Sequence, residues 1–202
     1  MKTQHRFFLL LILTAFVQLG LAQDWNWQNY RYRKPYPGYV INAAGEKKDG
    51  YLILNGQLEN QKECVFMTDT NDSKTNITYK PADLKEYKVA DKTYRVIHYS
   101  GGLTSTPVRF VLLTKAGRLS QFEWYDMNDA TRVIDAKQVY QKMDEKPFEN
   151  SAFVFKFAKF WAEQTTDYPE LSAKIANKEK GYTLLNMLAF IDEYNAYWAA
   201  KK

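Results

Sequence analysis

Residues 38–54 read GYVINAAGEKKDGYLIL, and the class of fold can be worked out from this stretch. Two short apolar runs, Tyr39–Ile41 and Tyr51–Leu54, flank a polar segment that contains Gly45 and the pair Asp49-Gly50. Apolar runs of this length are typical of strands, and glycine with Asp-Gly is typical of the turns between antiparallel strands. The stretch therefore predicts a β-hairpin with Gly45 and Asp49-Gly50 in its turn.

Strand patterns continue along the chain after this hairpin. Between Thr93 and Tyr99 the side chains alternate, which places Tyr94, Val96 and His98 on one predicted face. Residues 82–87 are expected to form a helical turn or a tight loop. Further strands are predicted at 63–68, 76–80, 108–114, 118–125 and 133–143. Short strands separated by turn residues predict an antiparallel sheet, curled or sandwich-like.

After Pro147 the apolar spacing becomes helical, and the aromatic residues of 153–164 fall on one face. The segment Asp167-Tyr168-Pro169-Glu170 predicts a helix start that Asp167 caps, and Gly181 predicts the end of that helix. A third helix is expected to follow, with Thr183 as its cap. Its predicted buried stripe contains Leu184, Leu188, Ile191 and Trp198, flanked by Leu185, Tyr194 and Tyr197. The fold class is therefore predicted as α+β, with a three-helix C-terminal segment packed on the sheet.

The first 22 residues have the order of a secretory signal peptide: a basic start, an apolar core and small residues at Gly20 and Ala22. Cleavage after Ala22 would make Gln23 the first mature residue. The apolar core is too short for a permanent membrane span, and no later segment has the length for one. The predicted organisation is a signal peptide at 1–22, an extended aromatic and basic arm at 23–37, a sheet region at 38–146 and a helical region at 147–202.

Composition excludes several classes of protein. Hydrophobic residues make up 46% of the chain and charged residues 25%, which is typical of a globular domain. The formal net charge of +5 comes from dispersed lysines and arginines, so no nucleic-acid surface is predicted. Cys64 is the single cysteine, so an internal disulfide is impossible, and a buried, inert thiol is expected.

Two parts of the sequence match a recognisable pattern. Residues 38–54 followed by YKPADLKEY at 79–87, and DYPELSAKIANKEKGY at 167–182 followed by IDEYN, resemble a family of exported proteins of Bacteroidota. In that family a Gly-Tyr-Ile-Val strand and an Asn-Gly-Asp-Thr turn precede a Tyr-x-Pro-x-Asp-Ile/Leu-Lys segment. This chain has Ala44-Gly45-Glu46-Lys47 at the turn. The resemblance implies an envelope location in a Gram-negative cell and carries over no site residues.

Few residues suggest chemistry. His98 is the only histidine after the leader, so neither a zinc site nor a persuasive Ser–His–acid triad is predicted, and no cofactor or metal is expected. Glu123 and Asp126 lie beside Trp124 and Tyr125, a composition that glycoside-cleaving clefts also use. A strand end with solvated acids explains the same residues. The catalytic candidates are therefore Glu123, Asp126 and His98.

The arm supplies the binding candidates. Aromatic and basic side chains alternate there, and such rings stack on sugars or contact protein partners. The alternative is an arm that packs over the sheet and shields an edge. The candidate binding residues are Trp25, Trp27, Tyr30, Tyr32, Arg31 and Arg33.

The sequence thus predicts an exported, non-catalytic envelope protein that binds a protein or a glycan, in the periplasm, on the outer surface or in the medium. Two alternatives remain open at this point. One is a glycan-directed hydrolase that uses Glu123 and Asp126. The other is a carrier that holds a small apolar ligand between the sheet and the helices.

Overall fold

The computed structural model of the protein describes residues 29–99 and 108–201. Within these ranges it contains ten strands and four α-helices, and the predicted α+β class is confirmed. The strands are β1 (Lys34–Asn42), β2 (Lys47–Leu54), β3 (Cys64–Met67), β4 (Ile77–Tyr79), β5 (Leu84–Val89), β6 (Lys92–Ile97), β7 (Arg109–Lys115), β8 (Leu119–Met127), β9 (Ile134–Lys142) and β10 (Phe148–Glu149). The helices are α1 (Gln57–Lys62), α2 (Phe157–Gln164), α3 (Pro169–Ala176) and α4 (Met187–Ala199).

The strands form one open antiparallel sheet in the order β10-β9-β8-β7-β6-β5-β1-β2-β3-β4. Only residues 80–83 join β4 to β5, although β1, β2 and β3 lie between these two strands. In a flat sheet the two strands would be about 19 Å apart. A connection of this length reaches at most about 18 Å when fully extended. The sheet must therefore curl to bring β4 towards β5, as the sequence predicts.

The hairpin of β1 and β2 is confirmed, but its turn is shorter than predicted. Gly45 lies in the turn with a φ of +92°, the left-handed region that favours glycine. Asp49-Gly50 lies inside β2, where Gly50 pairs with Gly38. A Cβ at Gly50 would lie 2.6 Å from the ring of Phe66. A glycine is therefore needed at this position because the Phe66 ring packs closely against the strand, and not because the chain turns there.

The predicted boundary between arm and sheet is wrong by a few residues, because β1 already begins at Lys34. Pro35 and Pro37 pair with β2, whereas pairing with β5 begins at Gly38. Proline lacks an amide hydrogen, so it is tolerated where a strand has one neighbour only. The prolines thus occupy the part of β1 that lies at a local sheet edge.

The prediction of a helical turn or tight loop over residues 82–87 is wrong for most of that segment, because β5 begins at Leu84. The turn precedes the strand, where the amide of Lys80 donates to the Asp83 carboxylate at 2.7 Å. From Lys85 onward exposed or half-buried residues alternate with the buried Tyr87 and Val89. This period of two is the pattern of a strand with one buried face.

The short helix α1 was not predicted, and it fills the concave side of the curled sheet. It joins β2 to β3 yet contacts β7 and β8. The buried Asn60 amide donates to the Tyr94 hydroxyl at 3.1 Å, and the Tyr87 hydroxyl donates to the Asn60 carbonyl at 2.7 Å. The Gln61 side chain makes two bonds, of 2.6 and 2.8 Å, to the backbone of Tyr125. Its polar side chains are therefore buried with their hydrogen bonds made.

Helices α2, α3 and α4 pack against the β8–β10 end of the sheet, as predicted, although β10 lies inside the region predicted to be helical. Trp161 is fully buried at the centre of this interface. Its ring centroid lies 5.3 to 5.8 Å from four neighbouring rings: Tyr140, Phe148, Phe153 and Phe190. None of the helices in the described ranges has both the length and the apolar character that a membrane span requires.

The predicted buried stripe of the last helix is wrong in part. A 3₁₀ turn at Leu184–Asn186 precedes α4, so the helix starts three residues later than predicted, with Asn186 and not Thr183 as its N-cap residue. Leu184, Leu185 and Leu188 are exposed. The buried residues of α4 are Met187, Phe190, Ile191 and Tyr194. The Thr183 hydroxyl contacts the Asn186 side chain and caps no backbone amide.

Candidate functional site

The described part of the aromatic arm lies on the sheet. Tyr30 packs edge-on against Tyr36 at 5.4 Å, and the Lys92 ammonium lies 4.3 Å from the Tyr30 ring centroid. The Arg31 amide donates to the Tyr36 hydroxyl, and the Arg33 amide donates to the Leu54 carbonyl. Tyr32 is nearly half exposed. Trp25 and Trp27 lie outside the described residues. These contacts favour the interpretation of the arm as a cover for the sheet.

The two acidic candidates, Glu123 and Asp126, do not lie close together. Glu123 and Asp126 are three residues apart on β8, so they project from opposite faces of the sheet. Glu123 accepts a hydrogen bond from the Tyr125 hydroxyl at 2.7 Å. Asp126 pairs with Lys137 at 3.1 Å on the other face. The structure therefore does not bring these carboxylates together as an acid and a base.

His98, the third candidate, lies just after β6 and lines a concave region of about 720 Å³ with Pro81, Lys85, Arg95 and Asp144. A second concave region, of about 600 Å³, lies between the β7–β8 turn and the end of α4. Arg95 and Asp144 line both regions. We call the two together the basic groove; its other polar and aromatic lining residues are Glu86, Arg118, Ser120, Asn195, Trp198 and Lys201.

Arg95 forms the wall that the two regions share, and its position is fixed. Its Nη2 and Nε donate to one Glu86 oxygen at 2.9 and 3.1 Å. The other Glu86 oxygen accepts from the Tyr39 hydroxyl at 2.8 Å. Burial and this hydrogen bond to Glu86 raise the pKa of Tyr39 to about 12, so the phenol stays a donor at neutral pH. Arg95 is therefore held by an oriented carboxylate.

The end of α4 is attached to the groove by Asn195. Its side chain accepts from the Leu119 amide at 2.9 Å and donates to the Leu119 carbonyl at 3.0 Å. The approach requires a glycine in the β7–β8 turn, because a Cβ at Gly117 would lie 2.3 Å from the Asn195 side chain. This pair of bonds sets the position of Trp198 one turn further along α4.

Asp167 lies behind the groove and does not cap α3 as predicted: the N-cap residue of α3 is Tyr168, which makes no side-chain cap bond. Asp167 instead accepts from Arg118 at 2.9 Å, from Lys142 at 3.2 Å and from the Tyr194 hydroxyl at 2.8 Å. Burial alone would raise the pKa of Asp167, but the hydrogen bonds from Tyr194, Lys142 and Arg118 outweigh it and lower that pKa. Asp167 is therefore a fixed anion that orients Arg118.

Trp198 provides the aromatic surface of the groove. The Arg118 guanidinium lies 3.9 Å from its ring centroid, and the Lys201 ammonium lies 5.3 Å from it. Its indole Nε1 is buried and has no hydrogen-bond partner among the described residues. Trp198 and Arg118 thus form a cation–π pair, and both side chains line an open region of the surface.

Comparison of the chain with protein-family models, with curated proteins and with solved structures found no match. Among the residues that the structure describes, no three His, Cys, Asp or Glu side chains are grouped closely enough for a metal ion. Cys64 is buried as predicted, and burial raises the pKa of its thiol.

Sequence reasoning missed the basic groove because its members are distant along the chain. Arg95, Arg118 and Trp198 lie on β6, on the β7–β8 turn and on α4. Each is an ordinary surface residue when read locally. Only the strand order and the docking of α4 bring them to one surface.

Proposed function

We propose that this chain is an exported, non-catalytic envelope protein that binds a linear acidic glycan in the basic groove. The observation that carries the proposal is the lining of the region between the β7–β8 turn and α4, in which Trp198 lies beside the cations Arg118 and Lys201. Arg95 and the acid Asp144 also line this region. An indole face packs against the C–H face of a sugar ring, and arginine binds carboxylates through paired N–H groups. A polymer of uronic acids presents both features in each unit.

The shape of the groove also favours a chain-like ligand. Two concave regions of about 600 and 720 Å³ meet at Arg95 and Asp144, so the groove is longer than a single sugar requires. Arg118 uses Nε in its described hydrogen bonds to Asp167 and Tyr194, while its other N–H groups make no described bond. The arginines are thus held by protein carboxylates while donors remain for a ligand.

Binding without hydrolysis fits the placement of the acids. Glu123 and Asp126 are on opposite faces of β8, and neither lines the basic groove. The alternative of an apolar ligand between sheet and helices has no comparable support. The rings around Trp161 occupy the space in which such a ligand would lie.

Titration calorimetry with polygalacturonate and with neutral dextran tests the proposal. We expect the mature chain to bind polygalacturonate and not dextran, with no release of new reducing ends. The Arg95→Gln variant should bind about tenfold more weakly, as expected when one charge-assisted hydrogen bond is lost. The matched control is Arg132→Gln, an exposed arginine outside the groove, which should bind like the wild type.

Equal binding of both polymers, or an equal loss in both variants, would contradict a specific groove. Capture of an envelope protein with no affinity for either polymer would favour the protein-binding alternative. The exported location rests on the leader at 1–22 and on the family resemblance. N-terminal sequencing of the protein from its native host should give Gln23 as the first residue, and an intact Met1 would contradict export.

A further inference from the structure

An exposed apolar patch lies at the opposite end of α4 from the basic groove. Phe155 and Leu185 are 97% and 95% exposed, respectively. Val154, Leu184 and Leu188 are exposed beside them; Val154, Phe155 and Leu184 line one groove of about 410 Å³. Large side chains that protrude together indicate a contact surface, whereas single exposed residues do not. We call these five residues the apolar patch.

The patch is built on two 3₁₀ turns. Phe155 lies in the 3₁₀ turn Val154–Lys156, directly before α2. Leu185 lies in the 3₁₀ turn Leu184–Asn186, directly before α4. Both following helices are anchored in the core through Trp161 and Phe190, whose rings lie 5.3 Å apart. Phe155 and Leu185 are therefore each held by a turn that leads into a helix of the core, and neither lies on a free terminus.

The charged residues that line the groove of the patch have one sign. Lys156, Lys159 and Lys178 line the same groove, and no aspartate or glutamate is among its lining residues. All three lysines are exposed, and none takes part in an ion pair among the described residues. A protruding apolar centre with an unpaired basic rim is the arrangement by which proteins bind the surface of an anionic bilayer.

We infer that the apolar patch docks the protein on an anionic lipid surface, with Phe155 and Leu185 inserted at the level of the headgroups. The three lysines then lie near the lipid phosphates. The protrusion of Phe155 and Leu185 favours a bilayer over a folded protein partner. The headgroup region of a bilayer can accept two separate side chains, whereas a folded protein would need a pocket shaped for each. The docking is independent of the proposed glycan site and holds whether or not the basic groove binds a polymer.

Vesicle co-sedimentation tests this inference. Vesicles of phosphatidylcholine with about 30% phosphatidylglycerol should sediment the mature chain, and vesicles of pure phosphatidylcholine should not. Each of Phe155→Ser and Leu185→Ser should weaken binding by about tenfold, because each removes one buried apolar side chain. Lys156→Gln combined with Lys159→Gln should weaken it by a similar factor or more and reduce its salt dependence.

The matched control is Ile77→Ser, an exposed apolar side chain on β4 at the opposite edge of the sheet. It should bind vesicles like the wild type. Because Phe155 and Leu185 are almost fully exposed, their serine variants should have the unfolding midpoint of the wild type. A loss of vesicle binding in these variants would then not be an effect of misfolding. Equal binding to neutral vesicles, or unchanged binding in both serine variants, would overturn the inference. So would a wild-type dimer that the serine variants dissociate, without any vesicle binding.

Discussion

Asn195 on α4 makes two hydrogen bonds to the backbone of Leu119 at the start of β8, of 2.9 and 3.0 Å. The side-chain amide thus pairs with the strand as another strand would. It joins the helical layer to the sheet next to the basic groove. The nearby Gly117 leaves the space that this contact needs.

Replacement of Asn195 by alanine should lower the free energy of unfolding by about 2 kcal/mol, because two partly buried backbone groups lose their partner. Urea unfolding of the two proteins measures the difference. Asn71→Ala is the control, since Asn71 is exposed in the loop after β3 and its side chain makes no described hydrogen bond. An equal effect of both substitutions would mean that Asn195 does not join the layers.

The fold was largely predictable because its signals are local. In β6 the buried Lys92 and Tyr94 alternate with the half-buried Thr93 and Arg95, which is the period of a strand. Gly45 marks the β1–β2 turn by its positive φ. Helix α1 was not predictable in this way. Its Asn60 and Gln61 are polar, and their burial depends on partners that lie 34 and 64 residues away. The position of such a helix, and the burial of its polar side chains, depend on tertiary hydrogen bonds and not on the local sequence pattern.

The same distinction applies to the candidate site. Asp167 has the local sequence of a helix cap, yet Arg118 and Lys142 draw its carboxylate away from α3. These partners lie 49 and 25 residues away in sequence. The exposed leucines of the apolar patch show a related effect. They have the spacing of a buried stripe, but Leu184 and Leu185 lie in the 3₁₀ turn before α4, and α4 buries Met187, Phe190, Ile191 and Tyr194 in place of Leu188.

The Asp167 network predicts a pH-dependent stability. The pKa of Asp167 is lowered in the folded protein relative to its ordinary value near 3.8. Such a carboxylate contributes stability above its unfolded pKa, and the contribution is lost as the pH falls from about 4 through the folded pKa. We expect Asp167→Asn to destabilise the protein by about 2 kcal/mol at pH 7. The difference from the wild type should shrink towards pH 3 and vanish at lower pH.

Urea unfolding at several pH values measures this difference. The control is Asp129→Asn, an exposed aspartate in the β8–β9 connection. It should have the stability of the wild type at every pH. A gap between wild type and Asp167→Asn that stays constant from pH 7 down to pH 2 would show that Asp167 acts through its shape and not through its charge.

Trp161 should be the side chain on which the sheet–helix interface depends most. It is fully buried and contacts rings from β9, β10 and α4. Replacement by alanine should cost about 4 kcal/mol of the free energy of unfolding, from lost burial and the cavity left behind. Phe155→Ala removes a ring of similar chemistry from the surface and should change stability by less than about 0.5 kcal/mol. Guanidinium unfolding followed by circular dichroism separates the two outcomes.

Cys64 should be unreactive while the protein is folded. Its side chain is buried in β3, in the same core cluster as Phe66. Burial, with the nearby Asp83 and Glu63 carboxylates, raises the pKa of the thiol. Because alkylation requires an accessible thiolate, iodoacetamide should not modify the native wild type at pH 8. In denaturant the thiol should react fully. Mass spectrometry counts the modified thiols.

A Thr70→Cys variant supplies the matched control, because Thr70 is exposed in the polar loop after β3. This variant should take up one label in native buffer and two in denaturant. One label on the native wild type would show that β3 opens readily. Strand β3 holds β4 at the edge of the curled sheet, so such opening would also expose the unpaired edge of β2. Protection of Cys64 therefore reports whether the curled end of the sheet stays closed in solution.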